Sequence, residues 1–115
     1  MTSALITGAT AGIGLEFAHQ LAQRGQDLVL VARDEARLAA VARELRAAYA
    51  VEVEMLRADL VVPAQCALVE ARLADRGRPI DLLVNNAGFG LKQRFGDNSA
   101  DQEQEMLDVL SLIHI

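Results

Sequence analysis

The sequence predicts an α/β protein whose parallel sheet is doubly wound. Three observations lead to this fold class: apolar runs alternate with helical patterns along the chain, the links between them are short, and the first link is rich in glycine. Alternation of this kind gives parallel strands joined by right-handed crossovers. We therefore expect a four-stranded sheet of order 3-2-1-4 with helices on its faces.

Four apolar segments have the length and composition of strands. They are residues 4–6, 28–32, 51–56 and 82–84. The third alternates Val51, Val53 and Met55 with two glutamates, which is typical of an edge strand with one wet face. The fourth is apolar on both faces, yet the order 3-2-1-4 places it at the opposite edge. We expect that edge to be uncovered, which favours self-association.

Apolar residues at helical spacing fill the gaps between these strands. The first helix ends at Gly25, and the third begins at Pro63 and ends near Gly77. A fourth begins at Ser99, where Ser99 and Gln102 have the spacing of a capping box. The positions predicted to face the core are Ile13, Phe17 and Leu21 in the first helix, Leu38, Val41, Leu45 and Tyr49 in the second, Leu68 and Leu73 in the third, and Leu107, Leu110 and Ile113 in the fourth.

Composition excludes several classes of function. The formal net charge of -5, with arginines and acidic residues interspersed, offers no basic surface for a nucleic acid. No apolar run approaches the roughly 20 residues of a membrane span, and the amino terminus lacks the pattern of a signal peptide. The lone Cys66 cannot form an internal disulfide and is predicted to be a buried thiol. We expect a soluble cytoplasmic protein.

The glycine-rich link has the pattern of a phosphate-binding loop. It reads Thr7-Gly8-Ala9-Thr10-Ala11-Gly12-Ile13-Gly14 and lies between the first strand and the first helix. The first glycine allows a tight turn, the second lets the backbone approach a pyrophosphate, and the third lets the helix pack closely on the strand. We predict a Rossmann-type dinucleotide site that includes Gly8, Thr10, Ala11, Gly12, Ile13 and Gly14. A glycine-rich turn without a ligand is the alternative.

Arg33 follows Gly14 by 19 residues, where this fingerprint places the residue that reads the ribose 2′ position. A carboxylate there favours NAD, whereas an arginine pairs with the 2′-phosphate of NADP. Arg33 therefore makes NADP(H) the preferred cofactor. NAD(H) stays possible, because the adjacent Asp34 would reach a ribose hydroxyl if the second strand ended one residue later. Arg33 as a solvated residue at a helix start is the other alternative.

Two further motifs follow the glycine loop: Asp59-Leu60 after the third strand and Asn85-Asn86-Ala87-Gly88 after the fourth. Together with Gly8-x3-Gly12-x-Gly14 they resemble, over residues 1–109, the short-chain dehydrogenase/reductase family. The resemblance implies that Asp59 hydrogen-bonds the adenine amino group beside Leu60, that Asn85, Ala87 and Gly88 line the adenosine ribose, and that Asn86 ties the fourth strand to its neighbours. Taken singly, these are ordinary turn residues.

The resemblance also implies a reaction, hydride transfer between NADP(H) and a carbonyl or alcohol substrate, in a homo-oligomeric full-length parent. The family's catalytic set is a serine, a Tyr-x-x-x-Lys pair and an asparagine. Here the only tyrosine, Tyr49, is predicted to pack on the second helix, the only lysine is Lys92, and no serine follows a predicted fifth strand. We expect residues 1–109 to be the amino-terminal, cofactor-binding part of a Rossmann domain that is inactive alone.

The last six residues, 110–115, depart from the family pattern. Family members often continue Asp108-Val109 with asparagine, but this chain reads Leu-Ser-Leu-Ile-His-Ile. These six residues are the translation of CTG TCT CTT ATA CAC ATC, a transposon-end adapter used to prepare sequencing libraries. We expect a non-native tail at 110–115 in which His114 has no role. The other histidine, His19, is predicted to be a solvated residue of the first helix.

Two other classes of function compete with this interpretation. A non-catalytic dinucleotide-binding or sensor module would share the fold, since fold alone does not decide function. A Tyr-x-x-x-Lys pair in downstream sequence would distinguish the enzyme from such a module. A doubly wound methyltransferase is disfavoured, because no acidic residue closes the second strand.

Overall fold

The computed structural model describes residues 3–86 and the backbone of residues 111–114. Its elements in chain order are β1 (Ser3–Thr7), α1 (Gly12–Gln23), β2 (Asp27–Ala32), α2 (Glu35–Ala48), β3 (Val53–Arg57), α3 (Pro63–Leu73), β4 (Leu82–Asn85) and β5 (Ser111–His114). The strands form one parallel sheet of order β3-β2-β1-β4-β5. The predicted order 3-2-1-4 and the doubly wound α/β class are confirmed for the first four strands.

The direction in which strands are added reverses at β1. β2 and β3 lie on one side of β1, and α3 then returns the chain to β4 on the other side. In open α/β sheets such a switch point leaves a crevice at the carboxyl ends of the strands. The fold therefore places the loops after β1 and β4 at one edge of the sheet.

The core has two apolar layers, one on each face of the sheet. Ile6 and its neighbours pack with α1 and α2, whereas Leu5 packs with α3 on the opposite face. The thiol of Cys66 belongs to the second layer and is buried, as predicted. No helix in the described part of the chain is long and apolar enough to cross a bilayer.

The ends of the helices follow the local sequence signals. Gly25 lies just beyond the end of α1 with φ of +86°, a conformation that glycine adopts without strain. The side chain of Asp34 caps α2 by accepting a hydrogen bond from the Arg37 N–H. Pro63 is the first residue of α3, where its missing N–H costs nothing. The end of α1 at Gly25 and the start of α3 at Pro63 agree with the predictions, whereas the Asp34 cap was not predicted.

The predicted extent and apolar face of two helices need correction. α3 ends at Leu73 rather than near Gly77, because the Asp75 carboxylate accepts a hydrogen bond from the Gly77 N–H and forms a turn instead. Leu68 is half-exposed, and Val69 and Cys66 occupy the buried face of α3 in its place. Ile13 is also exposed, because it lies in the first turn of α1 at the edge of the sheet.

β3 is an edge strand, as its alternating pattern predicts. It begins at Val53 rather than Val51. Met55 is exposed rather than buried, since an edge strand is only partly covered by helices. The face of β3 that was predicted to be solvated is partly covered by an ion pair. Arg72, in α3, donates a hydrogen bond from Nε to Glu54 Oε2 at a distance of 2.8 Å.

The expectation that β4 is an uncovered edge is wrong. β5 pairs with β4 in parallel, with Leu112 opposite Leu83 and Ile113 opposite Val84. An unpaired apolar edge is a ready template for another strand, and the apolar run of β5 suits that position. Ile113 therefore lies in a strand rather than on a helix face. The helix predicted from Ser99 lies outside the described residues.

Candidate functional site

The loop after β1 turns sharply and leads into α1. Gly8 and Gly12 have φ of +62° and +57°, the left-handed region that glycine favours. No side chain caps the amino terminus of α1 at Ala11, and its first turn contains no acidic residue. The first N–H groups of a helix lack intrahelical partners and carry partial positive charge. This end of α1 is therefore suited to an anion such as a phosphate.

Gly14 allows α1 to approach the glycine loop closely. A Cβ atom at Gly14 would lie 2.2 Å from the carbonyl oxygen of Gly8 and 2.7 Å from Nδ2 of Asn86. Both distances are shorter than van der Waals contact. The third glycine of the loop thus has the packing role that the sequence predicts.

Polar side chains join the ends of β1 and β4. The buried hydroxyl of Thr7 accepts a hydrogen bond from the Asn86 N–H at 2.9 Å and donates to Asn85 Oδ1 at 3.2 Å. Asn86 Nδ2 donates to the Gly8 carbonyl at 3.2 Å. Asn86 therefore links the end of β4 to the glycine loop.

The end of β2 supplies two arginines and one carboxylate. Arg33 is the first residue after β2, and its exposed guanidinium makes no hydrogen bond or ion pair with any residue that the structure describes. Asp34 is engaged as the cap of α2, with its Oδ1 3.1 Å from the Arg37 nitrogen. Arg37 Nη2 reaches back to donate to the Thr10 carbonyl at 3.3 Å. A charged side chain thus connects α2 to the glycine loop.

The segment after β3 forms a third wall. Asp59 Oδ1 accepts a hydrogen bond from the Val61 N–H at 3.1 Å, and the Asp59 N–H donates to Gln65 Oε1. Leu60 is buried, and its carbonyl accepts a hydrogen bond from the Cys66 thiol. Asp59 is therefore a turn residue, with its carboxylate held by the backbone in a defined position.

The glycine loop, the end of β2 and the segment after β3 surround one cleft of about 500 Å³. A cleft of this size falls in the range of small-molecule sites. Among the described residues it is lined by Gly8, Thr10, Ala11, Val31, Ala32, Arg33, Asp34, Arg37, Ala58, Asp59, Leu60, Val61 and Asn86. Six predicted site residues are thus brought together around a common space, namely Gly8, Thr10, Ala11, Arg33, Asp59 and Leu60.

Comparison with known proteins identifies the family. The family model described as short chain dehydrogenase matches residues 2–112, nearly the whole chain. The chain belongs to the short-chain dehydrogenase/reductase family. This assignment agrees with the resemblance of the three motifs, and solved structures of the family have the same Rossmann-type fold.

Three relatives illustrate the similarity of this short-chain dehydrogenase. A very-long-chain 3-oxoacyl-CoA reductase of Meyerozyma guilliermondii is 40% identical over 85 residues, 74% of this chain and 25% of that protein. A short-chain dehydrogenase from Sphingobium yanoikuyae in complex with NADPH is 53% identical with a TM-score of 0.72, covering 76% of this chain and 34% of that one. An alcohol dehydrogenase from the archaeon Thermococcus sibiricus complexed with 5-hydroxy-NADP is 34% identical with a TM-score of 0.70, covering 95% and 46%. The chain therefore spans less than half the length of these relatives.

Other predicted site residues of the short-chain dehydrogenase lie elsewhere. Gly12, Ile13 and Gly14 are not among the described residues that line the cleft: Gly12 allows the turn of the loop, Gly14 allows the close approach of α1, and Ile13 is exposed. Asn85 is buried between β1 and β4, and its Nδ2 has no hydrogen-bond partner among the described residues. Ala87 and Gly88 lie outside the described residues.

Five described residues of the cleft were not predicted as site residues, namely Val31, Ala32, Arg37, Ala58 and Val61. Arg37 lies four residues after Arg33, a spacing that places both on one side of a helix start. That spacing was a usable signal for a second cation. Val61 is 81% exposed although it is apolar and lines the cleft. Its position after Asp59-Leu60 carried no pattern that would have singled it out.

The candidate catalytic residue types do not line the described cleft. Tyr49 follows α2 and packs against the core as predicted, with its hydroxyl 3.1 Å from His19 Nδ1. The expectation of a solvated His19 is therefore wrong, because its ring also makes an edge contact with Tyr49. Ser111 lies at the amino end of β5, opposite Leu82. This position is at the end of the sheet away from the cleft. Lys92 lies outside the described residues.

The polar groups of the cleft suit a dinucleotide. Helix N–H groups lie at the glycine loop, a held carboxylate lies at Asp59, and the cations Arg33 and Arg37 lie beyond β2. Phosphates, an adenine amino group and a ribose phosphate require this combination of partners. Within the described part of the chain no cluster of three metal-ligating side chains occurs.

Proposed function

We propose that the cleft binds the adenosine half of NADP(H). The proposal rests on Arg33, which lines the same cleft as the glycine loop and whose exposed guanidinium has no partner among the described residues. In this arrangement the first turn of α1 binds the pyrophosphate, and Arg33 binds the 2′-phosphate. Asp59 accepts from the adenine amino group beside Leu60.

The preference for NADP(H) over NAD(H) is supported by the local charges. Asp34, which would favour NAD, caps α2 through its Oδ1. Arg37 adds a second positive charge to the wall beside Arg33. Two relatives of known structure were solved in complex with NADPH and with 5-hydroxy-NADP. A charge-assisted hydrogen bond to the 2′-phosphate contributes about 1.5–3 kcal/mol, so NAD(H) binds more weakly.

We further propose that the full-length parent is an oxidoreductase. Its bound nicotinamide supplies or accepts the hydride, and its substrate is a carbonyl compound or alcohol. Residues 1–109 form the amino-terminal cofactor-binding part of this Rossmann domain, and residues 110–115 form a non-native tail. The 115-residue chain is inactive alone, because its only tyrosine, Tyr49, is not among the described residues that line the cleft and instead contacts His19. The parent is a cytoplasmic homo-oligomer.

Calorimetric titration of the 115-residue chain tests the cofactor proposal. The ligands are 2′,5′-ADP and 5′-AMP, which differ only in the 2′-phosphate and require no nicotinamide site. We expect 2′,5′-ADP to bind roughly 10-fold to 100-fold more tightly, the range of a charge-assisted hydrogen bond. Equal affinities would contradict the NADP(H) preference, and no binding of either ligand would contradict the site itself.

A non-catalytic dinucleotide-binding module is the second candidate. It would have the same fold and the same cleft, since fold alone does not decide function. Sequencing the source gene beyond codon 109 distinguishes the two functions. A Tyr-x-x-x-Lys pair in the downstream reading frame supports the oxidoreductase, and its absence supports the module.

A further inference from the structure

The carbonyl groups at the end of β2 are each held by a different part of the fold. The Val31 carbonyl accepts a hydrogen bond from the Ala9 N–H at 3.4 Å, and the Ala32 carbonyl accepts from the Ala58 N–H at 3.0 Å. The next carbonyl, that of Arg33, lies beyond the strand ladder. It accepts instead from Nε of Arg57 at 3.1 Å. A side chain therefore provides the hydrogen bond that a neighbouring strand provides one residue earlier.

Arg57 is well placed for this contact by the register of the sheet. It is the last residue of β3 and pairs with Ala32, the last residue of β2. Its side chain extends from that position to the Arg33 carbonyl. Arg57 is not among the described residues that line the cleft.

The backbone of Arg33 is thus constrained on both sides. Arg57 holds its carbonyl, and the next residue, Asp34, is fixed as the cap of α2. The guanidinium of Arg33 has no partner of its own among the described residues. No described residue forms a hydrogen bond or ion pair with the Arg33 guanidinium, so the direction of this side chain depends on the orientation of the Arg33 backbone. The hydrogen bond from Arg57 to the Arg33 carbonyl helps to fix that orientation. A long charged side chain loses less entropy on binding when its base is already fixed.

We propose that Arg57 is a positioning residue for recognition of the 2′-phosphate. Its Nε–H orients the Arg33 peptide so that the Arg33 guanidinium faces the 2′ position of the ribose. Arg57 acts through Arg33 and not through its own charge. This inference rests on the proposed NADP(H) preference.

Two substitutions of matched size test this role. Arg57→Gln places an amide nitrogen at the same number of bonds from the backbone as Nε, so it retains a donor but removes the charge. Arg57→Met has the same reach without charge or donor. Both are compared with the unaltered chain for the ratio of dissociation constants of 5′-AMP and 2′,5′-ADP. Arg43→Ala, an exposed charge loss within α2 and outside the described cleft lining, serves as the control.

We expect Arg57→Met to lower the ratio roughly threefold to tenfold, the range of one hydrogen bond, and Arg57→Gln to preserve most of it. In an Arg33→Ala background the two variants should be indistinguishable. An equal fall of the ratio in the Gln and Met variants would show that the charge of Arg57 matters, which would overturn the proposal. An unchanged ratio in the Met variant would also overturn it. A ratio near one in the unaltered chain would overturn the NADP(H) preference and this inference together. A merely structural role of the hydrogen bond would give the Met variant a lower melting temperature than the Gln variant. We expect the two melting temperatures to be equal.

Discussion

Asn86 Nδ2 donates a hydrogen bond to the Gly8 carbonyl, and the same two atoms bound the space in which a Cβ on Gly14 would lie. The contact joins β4, the glycine loop and α1 at one point. It lies where the strand order reverses, so it fixes the relative position of the elements that border the cleft. Small changes here should therefore affect ligand binding as well as stability.

Gly14→Ala should destabilise the protein and abolish nucleotide binding. The added methyl group would overlap the Gly8 carbonyl, which belongs to the backbone and cannot move aside without shifting the loop. Overpacking of this kind costs about 1–3 kcal/mol. Urea unfolding and titration with 2′,5′-ADP measure the two effects.

Gly25→Ala provides the matched control for this prediction. Gly25 also has a positive φ, but a Cβ there would meet nothing within 4 Å, and it lies at the other end of α1. This variant should lose roughly 1 kcal/mol of stability to backbone strain and keep its affinity for the nucleotide. Equal loss of affinity in both variants would show that instability, and not the geometry of the loop, governs binding.

Arg33→Ala should act selectively on the 2′-phosphate. Its guanidinium is exposed and unpaired among the described residues, so its removal leaves no buried group without a partner. We expect the affinity for 2′,5′-ADP to fall about 10-fold to 100-fold while that for 5′-AMP stays within about twofold. Calorimetry with the two ligands measures this difference. Equal losses for both would contradict the assigned role.

Most of the sheet could be predicted from the sequence because its signals are local. Apolar runs marked β1, β2 and β4, and Pro63 marked the start of α3. A glycine at Gly25 marked the end of α1. Each of these depends on the preferences of one short segment.

The predictions that were wrong concern features that depend on tertiary packing. The exposure of Leu68 depends on where α3 meets the sheet, and the pairing of β5 depends on an edge that exists only after β4 has formed. The same holds for the site. The glycine loop was predictable from spacing, whereas the contacts of Arg57 and Arg37 with backbone carbonyls require the register of two strands and a helix.

Asp34→Asn should strengthen binding of the 2′-phosphate without loss of stability. Asparagine caps helices as well as aspartate does, so the hydrogen bond from the Arg37 N–H survives while a negative charge beside the phosphate disappears. We expect 2′,5′-ADP to bind roughly twofold to fivefold more tightly. Asp34→Ala, the comparison variant, should cost about 1 kcal/mol in urea unfolding. A weaker affinity of the Asn variant for 5′-AMP would indicate instead that Asp34 binds a ribose hydroxyl.

The turn after α3 should weaken in acid. Hydrogen bonds from the Arg78 guanidinium and then from the Gly77 N–H hold the pKa of Asp75 below its ordinary value. A carboxyl whose pKa is lower in the folded state stabilises that state above its unfolded pKa and loses this effect as the pH falls through the folded value. The change therefore occurs below about pH 4. Titration followed by the carboxyl carbon chemical shift should show that Arg78→Ala raises the pKa of Asp75. The control Arg43→Ala should leave that pKa unchanged. An unchanged pKa in Arg78→Ala would contradict the assigned cause.

Removal of residues 111–115 should promote self-association. β5 covers the outer edge of β4, where Leu83 and Val84 pair with its backbone. Without β5 this apolar strand presents unpaired N–H and carbonyl groups, which recruit another edge strand. Light scattering during gel filtration should show the unaltered chain as the smaller species and the shortened chain as a mixture of larger ones. A shortened chain that stays monomeric at the same concentration would contradict the role of β5 as the cover of β4.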